Sequence, residues 1–267
     1  MDEILAKVDA AYDGCCQASL EARLIELCRE TEERFGAQSR EAASMASELG
    51  GYYRGQHELG KSEAQFLRAA EILESCGLTD SADYATVINN LAGTYRLLRR
   101  FDAAEEAFAR SRELYRKSVG TKHILYASAL NNLSLVKLDR GDRAAAKALL
   151  AEASAILAEL PGHRDEYASS LINLGVLSLR CGETAAAKAA LAEAIALLES
   201  ELGTDTPHYH AALHALSLAE SAMGDTEAAR AAAEKAYLAA RSLYGEAHPE
   251  VQTLRDRLSQ LDGEAAP

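Results

Sequence analysis

A chain of 267 residues with 48% hydrophobic content can bury a continuous core, which excludes disorder of the whole chain. Lys and Arg number 28 against 41 Asp and Glu, and the net charge of -13 argues against a nucleic-acid or anionic-membrane binder, since either needs a basic face. Four Phe, no Trp and long runs of Ala, Leu, Glu, Arg and Lys favour helix over strand.

Taken from the amino terminus, the apolar spacing predicts helix pairs over 2–12 and 18–35, 39–56 and 60–76, 81–98 and 102–118, 123–139 and 142–159, 164–180 and 184–201, and 207–223 and 227–243. A last helix near 248–261 carries Val251, Leu254, Leu258 and Leu261 on one stripe, a polar-outside cap, and Asp262 to Pro267 are expected to fray. The first eight residues are acidic early and hold no long apolar stretch, so they read as mature protein, and no run reaches the length of a membrane span. Five cysteines, Cys15, Cys16, Cys28, Cys76 and Cys181, lack the paired spacing of a zinc site and fit a reducing cytoplasm. The adjacent Cys15 and Cys16 read as two small helix residues.

These helices follow a repeat. Segments opening at Tyr84, Tyr126, Tyr167 and Tyr209 begin alike, at spacings of 42, 41 and 42 residues. In that register Leu49, Leu91, Leu133, Leu174 and Leu216 share a column, followed by the small residues Gly50, Ala92, Ser134, Gly175 and Ser217. A second pair of columns reads Ser62, Ala104, Ala146, Ala187, Ala229 and Phe66, Phe108, Leu150, Leu191, Ala233; a third small column reads Ala69, Ser111, Ala153, Ala194, Ala236. Large residues three or four apart mark a buried stripe, and small columns let neighbouring helices approach. Gly141, Gly182 and Gly224 fall in the turn inside each pair, where earlier repeats carry His57 and Arg99. Gly36, Gly77, Gly120, Gly162, Gly203 and Gly245 close the second helices. The chain thus divides into a degenerate first pair, 1–36, acting as a cap; five repeats, 37–246; and a capping helix with its tail, 247–267.

The columns resemble the tetratricopeptide repeat, whose signature is met by Leu91, Ala92, Tyr95, Ala104 and Phe108. A period near 42 rather than 34, with joins such as Gly203-Thr204-Asp205-Thr206-Pro207-His208, resembles the kinesin-light-chain type. The resemblance implies an all-α fold, a right-handed superhelical α-solenoid of tetratricopeptide-type helix pairs whose first helices line a concave groove. It implies a binding scaffold; kinesin transport itself does not follow from a fold that hosts many functions.

Asparagines one and two residues before the leucine column, Asn89, Asn90, Asn131, Asn132 and Asn173, offer a donor and an acceptor each, suited to pairing with the backbone of an extended peptide. In the resembling family the matching asparagine often bonds ligand backbone. Arg54 and Arg96 fall a turn beyond, and Arg180 one residue off that line, where they can tune charge preference. The column Ser44, Thr86, Ser128, Ser169 and Ala211 lacks the basic residues of the carboxylate-clamp subfamily, which disfavours a chaperone carboxyl terminus as ligand.

His210 and His214 stand i, i+4 beside His208, but no glutamate completes a metalloprotease motif, so structural or surface histidine is the better reading and no metal is expected. No phosphate loop and no nucleophile motif occurs, so neither a cofactor nor an enzymatic activity is expected. Glu105, Glu106, Glu152, Glu193 and Glu227 are expected to be solvated on outward faces. The expected function is a cytoplasmic scaffold that binds a protein or extended peptide, with no nucleic-acid or membrane partner. The alternatives are a self-associating assembly protein and, last, a metal-dependent enzyme subunit.

Overall fold

Thirteen α-helices follow one another in the computed structural model, which describes residues 2–14 and 17–264. They are α1 (Asp2–Gly14), α2 (Gln17–Phe35), α3 (Arg40–Gly55), α4 (Leu59–Ser75), α5 (Ala82–Leu97), α6 (Phe101–Ser118), α7 (Ile124–Asp139), α8 (Arg143–Ala158), α9 (Arg164–Arg180), α10 (Thr184–Leu197), α11 (Pro207–Ala222), α12 (Thr226–Tyr244) and α13 (Pro249–Glu264). The expected helix ends hold to within three residues. Two features differ: the end of α10 widens into a π-turn, Leu198–Leu202, and α13 continues through Asp262–Glu264, part of the expected frayed tail. Cys15 and Cys16 lie outside the described residues, as do 265–267. Cys28, Cys76 and Cys181 are free thiols.

The chain forms two compact units, one of residues up to Thr121 with Leu135–Arg140, the other of Lys122–Ser134 with the residues from Gly141 onward. In the first, α1 to α6 pack each on the next, and the first helices α3 and α5 also touch. In the second, α8 to α13 pack in sequence, and α9 touches α11. Neighbour-on-neighbour packing of this kind is what a repeat that cannot bury its apolar stripe alone must adopt.

The small and aromatic columns form the interior. Ser62, Ala104, Ala146, Ala187 and Ala229 are fully buried, as are Phe66, Phe108, Leu150, Leu191 and Ala233. The leucine column is less uniform: Leu49, Leu91 and Leu133 are buried, but Leu174 and Leu216 are only half-buried. A physical reason keeps the following column small. A Cβ on Gly175 would stand 2.6 Å from Cγ of Leu191, and one on Gly50 would stand 3.0 Å from the Phe66 ring, so these helices meet where any side chain would collide.

The turn inside each of the five pairs from α3 to α12 uses one left-handed residue. His57 (φ 58°) and Arg99 (φ 60°) take the conformation that Gly141 (85°), Gly182 (78°) and Gly224 (84°) take in later repeats. The next residue closes a six-to-one bond, Glu58 N to Tyr53 O and Arg100 N to Tyr95 O, both 2.9 Å, matched by Asp225 N to Glu220 O at 3.0 Å. An L-residue pays roughly 1–2 kcal/mol there. We therefore expect Gly141→Ala to destabilise by ~1–2 kcal/mol, and the exposed His57→Gly to be neutral or stabilising by up to ~1 kcal/mol once glycine's greater unfolded-state freedom is offset. Urea titration of both variants checks the assignment; a clear loss for His57→Gly would remove the strain argument.

Of the recurring tyrosines, Tyr84, Tyr126 and Tyr209 bury their rings, Tyr167 is half-buried, and all four bond a carboxylate at the polar tip. Tyr84 donates to Glu74 at 2.6 Å, Tyr126 to Glu152 at 3.2 Å, Tyr167 to Glu193 at 2.6 Å and Tyr209 to Glu199 at 2.7 Å. Burial, then the neighbouring carboxylate, pushes the Tyr167 and Tyr209 phenols up to about 12. Glu152 and Glu193 are exposed, as expected, and accept from these tyrosines, whereas Glu105 is half-buried and pairs with Lys137 at 2.6 Å. Glu106 and Glu227 are exposed, as expected.

Candidate functional site

In the first unit, matching faces of α3 and α5 enclose a cavity of about 390 Å³. Ser44, Ser47 and Glu48 come from α3, and Thr86, Val87 and Asn90 from α5, so corresponding positions of successive first helices share one recess. Both helices start on a serine cap, Ser39 to Ala42 N and Ser81 to Tyr84 N, each 3.1 Å, which fixes where the faces begin. Asn90 is half-buried at this wall. Its neighbour Asn89 is not at the wall; it is only 8% exposed, and its Oδ1 is buried with no hydrogen-bond partner among the described residues.

The arginines are engaged within the first unit. Arg54 turns back across α5, donating Nη1 to the carbonyl of Asn90 at 3.2 Å with its guanidinium 5.7 Å from the Phe66 ring. Desolvation there lowers its pKa. A side chain on Gly93 would meet Arg54 Nη1 at 3.0 Å, so the glycine leaves the guanidinium its lane. Arg96 pairs with Asp139 at 2.6 Å.

In the second unit Asn131 Oδ1 accepts from Ser170 Oγ at 3.1 Å, and Ser170 meets Ser154 Oγ at 2.8 Å. That amide therefore sits in a polar chain between helices. Asn132 and Asn173 are half-buried and their side chains make no hydrogen bond among the described residues; Arg180 is exposed and unpaired.

The histidines gather at a second recess of about 460 Å³, where His208, His210 and His214 of α11 face Val176, Tyr244 and Glu250. His210 packs edge-on to Tyr244, with ring centres 5.4 Å apart, and Tyr244 stacks on His248 at 4.3 Å. Burial lowers the pKa of both His210 and His214, against the opposing pull of Glu250. Among the described residues no three His, Cys, Asp or Glu side chains converge as metal ligands. Sequence reading found these histidines but not the aromatic stack, because Tyr244 and His248 sit thirty and more residues further along the chain.

Sequence profiles of the tetratricopeptide repeat match residues 41–117 and 83–159, and again 168–208 and 211–250. No curated protein matches in sequence. Among solved structures the chain is similar to BtubC (BKLC) from P. vanneervenii, with 24% identity, a TM-score of 0.66, and coverage of 76% of this chain and 81% of that one. It is similar to the putative kinesin light chain TPR-like repeats of Podosopora anserina, with 17% identity, a TM-score of 0.64, and coverage of 78% and 99%. It is also similar to a Rap protein complexed with Competence and Sporulation Factor, with 14% identity, a TM-score of 0.66, and coverage of 93% and 71%. No helix among the described residues is long and apolar enough to cross a membrane. With its two-helix period near 42 residues, its left-handed turn in each of the five pairs from α3 to α12 and profile matches between residues 41 and 250, the chain belongs to the tetratricopeptide repeat family.

Proposed function

We propose that this protein is a non-catalytic scaffold that holds a protein or an extended peptide on the faces lined by the first helices within its units, with Asn90 in the first unit and Asn132 and Asn173 in the second bonding ligand backbone. The observation that carries this reading is the recess between α3 and α5, which pairs equivalent faces of two repeats and puts a half-buried amide at its wall. An amide there can give and accept one bond each with an extended chain. Likeness to a Rap protein solved with Competence and Sporulation Factor supports a binding role for the fold. Arg54, Arg96, Asn89 and Asn131 serve in this reading as braces behind the face, because each is buried or already bonded within its own unit. Arg180, exposed and unpaired, is left to tune charge preference.

The test replaces Asn90, Asn132 and Asn173 together by alanine. Each lost neutral hydrogen bond is worth ~0.5–1.5 kcal/mol, so three shift affinity by about one to three powers of ten. Partners recovered from native lysate by the wild type should be lost or strongly reduced on the triple variant, with far-UV circular dichroism unchanged. Equal capture by the folded variant would place the ligand elsewhere. Unfolding of the variant would make the asparagines struts.

A further inference from the structure

The recess between α3 and α5 has a chemical character beyond its amide. Its floor is apolar, made by Ala43, Leu73 and Val87, and its walls carry hydroxyls. Its rim carries Arg40, Glu41, Glu48 and Asp83. Arg40, the one cation on that rim among the described residues, is committed to Asp83 in a charge-assisted bond. Glu41 and Glu48 have neither a hydrogen bond nor an ion pair among the described residues. The recess therefore sets three carboxylates, Glu41, Glu48 and Asp83, against one cation, Arg40, which feels Glu41 as well as Asp83, over an apolar floor.

Its surroundings make that imbalance costly. Desolvation raises the Glu48 carboxyl above the usual range, and Asp9 of α1 adds to the effect, so a second negative charge stands near the same opening. Tyr12, also of α1, is 45% exposed, and its phenol is raised by burial and then by the Glu48 charge. An exposed aromatic beside carboxylates is a platform for a cation, which gains from both the ring face and the charge.

We propose that this recess receives a basic side chain, arginine or lysine, of the bound peptide, its aliphatic stem on Ala43, Leu73 and Val87 and its charged head between Glu41 and Glu48. The division of labour suits such side chains, which bury a hydrocarbon stem while keeping a charged head near water and counter-charges. An acidic ligand side chain would meet only repulsion there, because Arg40 is already neutralised. The inference rests on the groove reading above and gives it a charge preference.

The probes are Nα-acetyl-arginine amide and Nα-acetyl-lysine amide, titrated into the full chain while backbone amide shifts are followed by NMR. Nα-acetyl-norleucine amide, with the stem but no charge, and Nα-acetyl-glutamate amide are the controls. Saturable shifts at Ser44, Ser47, Thr86 and Asn90 are expected with the basic probes, at least tenfold weaker with the controls. Glu48→Gln alone should weaken the arginine probe severalfold, and with Glu41→Gln tenfold or more, circular dichroism confirming that both variants fold. Equal response to norleucine and arginine, shifts confined to other acidic surfaces, or undiminished binding by the double variant would each overturn the proposal. A one-residue probe does not need a ladder of asparagines. Basic-probe binding alongside a failed asparagine test would keep the recess and remove the backbone groove; the reverse pair of results would remove only the charge preference.

Discussion

Replacing Phe108 by alanine should cost about 3–5 kcal/mol, the largest effect of any single substitution considered, because a fully buried phenylalanine leaves a cavity that its neighbours fill only in part. Phe108 is 1% exposed on α6, where Ala104 and Ser111 stand one turn away on the same buried stripe. Small residues on both sides cannot expand into the void, which puts the loss near the upper end of that range. Glu106, two positions earlier and exposed without a partner among the described residues, provides the control, and its alanine variant should change stability by less than about 0.5 kcal/mol. Denaturant titration of both variants decides the register: comparable small effects would mean that the column faces solvent.

The same logic separates members of one column. Leu133 is buried and Leu174 is half-buried, although the sequence gives them equivalent places. Leucine spacing reports which face of a helix turns inward. How deep that face goes depends on what packs over it, and the covering column changes along the chain from Phe66 and Phe108 in the first unit to Leu150, Leu191 and Ala233 in the second. Because stability in such arrays is a sum of local terms, the two units need not unfold at one denaturant concentration, and midpoints from a single probe should be compared only among variants within one unit.

Periodicity carried the fold a long way. The left-handed turns were legible as a glycine column, and the structure adds that His57 and Arg99 accept the same backbone shape without being glycine. The π-turn at Leu198–Leu202 was not legible, since the apolar spacing through that segment stays regular and the repeat length does not change. At the candidate site, spacing put Asn90 on the recess wall but could not say where long side chains end. Arg54 lies one turn from the asparagine column, yet its guanidinium bends back to the Asn90 carbonyl. Asn131 stands in the same column as Asn89, but a serine at position 170 gives it a bond that Asn89 lacks. One residue type in one column thus meets different surroundings, and only the neighbouring column reveals them.

A pair of columns shows how that signal could have been read. Tyr53, Tyr95, Lys137, Ser178 and Glu220 look like a tyrosine signature that decays along the chain. Each stands 31 or 32 residues after Glu21, Glu63, Glu105, Lys147 and Lys188, in the second helix of the preceding pair. Tyr53 donates to Glu21 at 2.9 Å, Lys137 donates to Glu105 at 2.6 Å, and in the second unit Glu220 accepts from Lys188, with the ion pair at 2.9 Å. The signature is therefore exchanged for ion pairs, and the sign of the pair reverses between Lys137–Glu105 and Lys188–Glu220.

This reversal sets up the second large effect. Lys188→Glu should destabilise the chain by about 2–3 kcal/mol, because Glu220 is only 5% exposed and would face a like charge with no other partner to turn to. The magnitude is below the ~3–5 kcal/mol of breaking a fully buried pair, since Lys188 is itself 44% exposed and water screens its end of the interaction. Glu220→Lys should cost a comparable amount for the mirrored reason. Combining them rebuilds, in the second unit, the arrangement that Lys137 and Glu105 already hold in the first, so the double variant should recover most of the loss. A thermodynamic cycle over the wild type, both single variants and the double isolates the pair from the cost of altering each residue alone. A coupling of ~2 kcal/mol or more would establish that these columns interact as charges across the repeat interface. Strict additivity would mean that each side chain contributes only through its own packing and that the reversed sign is incidental.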